Sequence, residues 1–357
     1  MPRLDVAPDL QLLVRVLRDP LKLQALSPQQ FGRVIDAADQ SRLLGWLLAQ
    51  ADAHHAPHGC PGWLNDRVLT ARARVGEYER AVRWEIDRLN RAFLGIGFPW
   101  ILLKGAAYIA ATLPPGRGRR VADVDVLVPR EHLAEAEAAL RKHGWEFGEL
   151  DPYDTRYYRE WMHELPPLIH GERRSVIDLH HAILPRTSRL HPSSAHLIEQ
   201  SRVIEDSVRV LCPAHMVLHA AAHLFHDGEI AGAIRDVVDL DGLLRCFGRE
   251  PGFWSDFIRE ARTLDLTRPA YYAVRYARRL LDTPVPPDVV SALAAAEPPP
   301  AVRWFMDVLV RTAVAGKSGR TSSAAGLALY VRSHWLRMPP LLLARHLLRK
   351  SVRRYPQ

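Results

Sequence analysis

Residues 98–128 read "FPWILLKGAAYIAATLPPGRGRRVADVDVLV", and the change of period inside this stretch decides the fold. "FPWILLKG" (98–105) is a short apolar run bounded by Pro and Gly, the pattern of a buried strand. "AAYIAATL" (106–113) predicts a short helix, and "PPGRGRR" (114–120) a basic loop. "VADVDVLV" (121–128) then predicts a second strand. Strand, helix and strand within about thirty residues mark an α/β core in a chain that is otherwise helical in pattern.

Working outward, "PREHLAEAEAALRKHG" (129–144) predicts a helix with Pro129 in its first turn, late Arg141 and Lys142, and Gly144 as its stop. "WEFGEL" and "RRSVIDLHHAIL" (173–184) predict two further strands. Upstream, residues 9–52 carry helical spacing with breaks at Pro20 and near Ser27-Pro28, and Trp63 to Leu94 reads as one long charged helix. From about Pro185 onward the pattern is overwhelmingly helical. The expected fold class is α+β: a small mixed β-sheet core flanked by mainly helical segments. The expected division is a helical N-terminal region (1–94), the α/β core (95–185) and a helical C-terminal domain (186–357).

Three features of the core carry chemistry. Gly105 stands where a strand turns into a helix, so a ligand can approach the backbone, and the N–H groups of a helix start can face a phosphate. Asp123 and Asp125 are two apart on one strand and so share a face. Packing explains such a pair poorly, because side-by-side carboxylates repel and their burial is costly. A divalent cation resolves the conflict, since Mg²⁺ takes oxygen ligands from one or two carboxylates plus substrate phosphates. Asp178, set between apolar neighbours in "SVIDLHHAI", shares its face with Val176 and His180. Brought beside the doublet, it would complete a two-metal site.

The string "ILLKGAAYIAATL…RRVADVDVLVPREHLAEAEAALRKHGWEF…VIDLHHAIL" resembles the nucleotidyltransferase superfamily with the DNA polymerase β-type core. More closely, it is similar to a bacterial, largely uncharacterised branch with an "LKG…R…DxDxLV…GW…DLH" pattern. The resemblance covers roughly 95–185. It implies that Asp123 and Asp125 bind two Mg²⁺ ions (Mn²⁺ as an alternative), that Asp178 completes the metal site and helps activate the acceptor, and that an NTP donates its nucleoside monophosphate with release of pyrophosphate. By the same resemblance, the nucleotide side comprises Lys104, Gly105, Ala106 and Arg120. Ala106 is a departure, because the superfamily usually carries Ser or Gly there. His180 is a candidate for orienting the acceptor or a carboxylate; otherwise it is a structural strand histidine. The acceptor, whether small molecule, peptide or protein, leaves no signature.

Other readings compete. "DVDVLV" fits the nucleophile motif of haloacid-dehalogenase-like phosphatases, but that motif needs its carboxylates after an apolar run, and here the run follows them. "HMVLHAAAHLFHDG" spaces His215, His219 and His223 four apart, which on a helix puts them on one face. That spacing is too compressed for the separated ligands of HD phosphohydrolases. A helix lining the acceptor side is the better reading, with His223 and Asp236 as its contacts. "AHHAPHGC" (53–60) reads as a surface loop. A catalytically weak nucleotide- or peptide-binding adaptor on the same fold is the alternative to an enzyme.

Composition sets the outer limits. The 357 residues carry 48 basic and 40 acidic side chains, a net charge of +8 that suits phosphate-bearing partners. Nothing matches a nucleic-acid-binding motif. Three widely spaced cysteines make neither a disulfide framework nor a zinc ribbon, which points to a reducing cytoplasm. The basic, leucine-rich 341–354 segment is the one hint of a membrane-surface contact.

Overall fold

The computed structural model describes residues 8–53, 62–148, 152–227, 233–314, 331–332 and 335–336. The loop at 54–61 and the 341–354 segment lie outside them. Four helices come first: α1 (Pro8–Arg18), α2 (Pro28–Gln40), α3 (Leu44–Ala53) and α4 (Asn65–Ala92). The break at Ser27-Pro28 is a built helix start. Ser27 Oγ accepts from the Gln30 amide and Gln30 Oε1 accepts from the Ser27 amide, with Pro28 in the first turn.

The core follows as β1 (Ile101–Leu102), α5 (Lys104–Ala110), β2 (Asp123–Leu127), α6 (Leu133–Lys142), β3 (Trp145–Phe147), α7 (Pro152–Trp161), β4 (Leu168–His170) and β5 (Val176–His180). Next come α8 (Ser194–Glu199), β6 (Arg202–Glu205), β7 (Val208–Val210) and α9 (Pro213–Ala222), which runs on as a π-helical turn to Asp227. The chain then continues through α10 (Ile234–Phe247), α11 (Phe253–Thr263), α12 (Thr267–Leu281), α13 (Pro287–Ala294) and α14 (Pro300–Val314).

The strands form one mixed sheet in the order β3-β4-β5-β2-β1-β7-β6. β2 runs parallel to β5 and antiparallel to β1, and β1 runs parallel to β7. The fold is thus α+β, as expected from the sequence. The helical reading beyond Pro185 needs correction, however, because β6 and β7 come from residues 202–210 and extend the sheet past β1. The first strand is also shorter than its apolar run: pairing covers only Ile101 and Leu102, and α5 begins at Lys104.

Alternation on the central strands sorts the side chains. Val124 and Val126 of β2, with Ile177 and Leu179 of β5, are buried in the apolar core, while the aspartates take the other face. α12 is buried on most of its circumference. Its Arg275, Tyr276 and Arg279 all converge on Asp307 of α14, at 2.8, 3.0 and 2.6 Å. The N-terminal helices meet the core through a backbone-to-backbone contact between Gly45 of α3 and Gly118 of the basic loop. A Cβ on either glycine would run into the other's carbonyl, and Gly118 also has φ +66°.

Candidate active site

The β2–β5 register puts the three aspartates together. Asp125 pairs directly with Asp178 across the parallel ladder and Asp123 with Val176, so all three carboxylates rise from one face of two adjacent strands. Leu127 pairs with His180, which places that histidine on the same face. Asp123 is half-buried and opens β2; Asp125 is almost fully buried.

Two basic side chains converge on Asp125. Lys104 Nζ donates to Asp125 Oδ1 at 2.7 Å, and His180 Nε2 lies 2.9 Å from the same oxygen. Burial alone would raise the Asp125 carboxyl, but the Lys104 charge and the His180 hydrogen bond hold it far below the usual range. Burial likewise works against charge on His180, yet the nearby Glu164 and Asp125 carboxylates raise its pKa. Lys104 is held strongly protonated, Asp125 outweighing the cost of burying the ammonium.

Asp178 is the opposite case. Burial comes first and the charges of Glu164 and Asp125 second; together they push its carboxyl up to about 7, and its Oδ1 is buried without a hydrogen-bond partner. An orphaned carboxylate oxygen beside two further carboxylates is a donor set that a bound cation would satisfy. All-oxygen donors of this kind fit a hard divalent ion such as Mg²⁺. Asp125 still has Oδ2 to offer when Oδ1 is taken by Lys104.

The turn from β1 into α5 explains both Lys104 and Gly105. Lys104 sits at φ +45°, a left-handed conformation that costs a non-glycine residue about 1 kcal/mol or more. Its ammonium is thereby aimed back at β2. A Cβ on Gly105 would come within 2.6 Å of Arg119 Nε and 2.9 Å of Val121 Cγ2, so the glycine is needed for close approach. Ala106 is packed into the apolar core. Of the basic loop, it is Arg119 that turns inward: it is partly buried, pairs with Asp239 of α10 and lies 5.4 Å from the Tyr108 ring. Arg120 instead is exposed, 5.8 Å from the Tyr78 ring of α4, and lines a cavity of about 340 Å³ with Arg42 and Arg74. No contact joins it to the aspartates among the described residues.

His223, at the start of the π-helical turn, and His219 of α9 both feel the charges of Lys104, His180 and Asp125, so this helix end faces the site. Burial, then Lys104, lowers His219 to about 3 and His223 well below its ordinary value. Both are therefore neutral near pH 7. Among the described residues neither belongs to a cluster of metal-ligand side chains. Asp236 lies on α10 beside the Arg119–Asp239 pair, and burial and Asp239 raise it to about 6.

Sequence reasoning missed Glu164 and His163. Glu164 lies 3.4 Å from His180 Nε2 and bridges its backbone to His180. With His163 and His180 it forms a compact group of three ligand-type side chains. The segment after α7 has no periodicity that would have singled them out. No helix among the described residues is long and apolar enough to cross a membrane. A family model described as an uncharacterised nucleotidyltransferase matches residues 27–282. No curated protein matches the chain.

Proposed function

The chain belongs to that uncharacterised nucleotidyltransferase family, and we propose that it transfers a nucleoside monophosphate from an NTP to an acceptor, with release of pyrophosphate, in a Mg²⁺-dependent reaction. The observation that carries this reading is the in-register pairing of Asp125 with the orphaned Asp178, with Asp123 on the same face. Asp123, Asp125 and Asp178 would hold the metal, which would supply charge neutralisation of the triphosphate and a lowered pKa for the attacking group.

The protein's own groups have separable tasks. Lys104, at the start of α5, touches Asp125 and would offer its ammonium to an incoming phosphate, and Gly105 keeps the turn open for it. The ionised Asp125 fixes Lys104 and His180 in place. Asp178, paired in register with Asp125, would complete the carboxylate set and help activate the acceptor. His219 and His223, neutral and at the helix end that faces the aspartates, suit hydrogen bonding to an acceptor better than binding phosphate. Arg119, held by Asp239, packs against Gly105, and Arg120 remains the candidate for the nucleotide side.

Incubation with each labelled NTP, Mg²⁺ and a host lysate tests the reading: label should move to an acceptor with wild type and not with Asp123→Asn. Transfer at the wild-type rate by Asp123→Asn would refute it. A thermal shift with an NTP but no transfer under any condition would favour the nucleotide-binding adaptor.

A further inference from the structure

Away from the aspartates, a second group of ligand-type side chains gathers where three helices meet. His196 comes from α8, His215 from the first turn of α9 and Glu260 from α11. His196 Nε2 lies 2.7 Å and His215 Nε2 2.9 Å from the same oxygen, Glu260 Oε2. His215 is fully buried and Glu260 nearly so, while His196 remains partly open. Nothing in the proposed transfer uses them.

We propose that His196, His215 and Glu260 form a binding site for a divalent metal of the zinc class. Two imidazole nitrogens and one carboxylate oxygen are a recurrent donor set for Zn²⁺, which takes them at about 2.0–2.2 Å in a tetrahedron. All three ligand atoms lie within 4.8 Å of one another, so small side-chain adjustments open the trio around an ion. The carboxylate is oriented from behind: Arg259 Nε donates to Glu260 Oε1 at 3.1 Å, leaving Oε2 for the two imidazoles. A cavity of about 150 Å³ is lined by His215 and Glu260 together with Cys212, Asp256, Arg202 and Arg259, and would give a fourth ligand such as water its place. The positions of the ligands also say what the ion would do. It would tie α8 and α11 to the start of α9, the helix whose other end carries His219 and His223 to the aspartates.

The test uses the full chain, stripped with a chelator and dialysed against Zn²⁺, with bound metal counted by mass spectrometry and affinity measured by titration. Wild type and Asp123→Asn should each bind one zinc that His196→Ala lacks, and zinc should raise their melting temperatures in a concentration-dependent way. His196→Ala and Glu260→Gln should bind it at least tenfold more weakly and lose that rise. His196 is partly exposed, so its replacement keeps the fold, checked by circular dichroism, where loss of buried His215 would not. Zinc bound equally by wild type and His196→Ala would overturn the proposal. So would zinc that is lost on Glu164→Gln or Asp123→Asn but kept by His196→Ala, because the ion would then sit at the aspartates.

Discussion

Replacing Asp178 by Asn should make the metal-free protein more stable while disabling it. In the folded chain its carboxyl is raised from 3.8 to about 7, chiefly by burial and then by Glu164 and Asp125. Between those values the folded state holds a proton that the unfolded chain has released, so stability falls as pH rises from about 4 through 7. At about 1.4 kcal/mol per pH unit the penalty at pH 8 has an upper bound of about 4 kcal/mol. The side chain is only partly buried, and solvent screening reduces this to about 1–2 kcal/mol. Asn removes the charge, so the chelator-treated variant should melt about 2–4 °C above wild type at pH 8, at about 2 °C per kcal/mol for a chain of this size. At pH 4 the two should coincide. Mg²⁺ should then stabilise wild type more than the variant. An Asp178→Asn protein that melts at or below wild type at pH 8 would refute the electrostatic reasoning.

Asp125→Asn should behave oppositely, losing about 3–5 kcal/mol because the partly buried Lys104 ammonium loses its carboxylate and His180 its hydrogen-bond partner; denaturant titration measures it. Asp123→Asn, half-buried and without an ion pair among the described residues, should keep its melting temperature within about 2 °C and lose turnover. Gly105→Ala should destabilise by about 1–3 kcal/mol, since the added methyl must displace Arg119 and Val121, and should lower transfer as well. Asp239 sits between Arg119 and Arg235, so Arg119→Met should cost about 1.5–3 kcal/mol while Asp239 keeps Arg235, and a double-mutant cycle with Asp239→Asn should show a coupling of about 0.5–3 kcal/mol.

The central strands were legible in the sequence because their two faces differ in chemistry. Valines and leucines alternate with carboxylates along 123–127 and 176–180, and an acidic residue amid apolar neighbours announces its own side of the sheet. β6 carried no such signal: Arg202–Glu205 is an edge strand with every residue exposed, so no alternation marks it. Periodicity could not choose between Arg119 and Arg120, because adjacent loop residues point wherever the backbone turns. Here Gly118, with its positive φ, and the pairing with Asp239 turn residue 119 inward. Glu164 joins the site through a single backbone bridge from an irregular segment, a contact that only tertiary folding creates.

The glycine-to-glycine contact at Gly45 and Gly118 has a consequence for how this molecule tolerates change. Gly118 precedes Arg119, Arg119 lies against Gly105, and Gly105 adjoins Lys104, so the first helices act as a jig that sets the turn from β1 into α5. Bulk added at Gly45, some sixty residues upstream of that turn, would be transmitted along rigid backbone. Variation should therefore be freer on the outer faces of α2 and α3 than at this one point of bare main-chain contact.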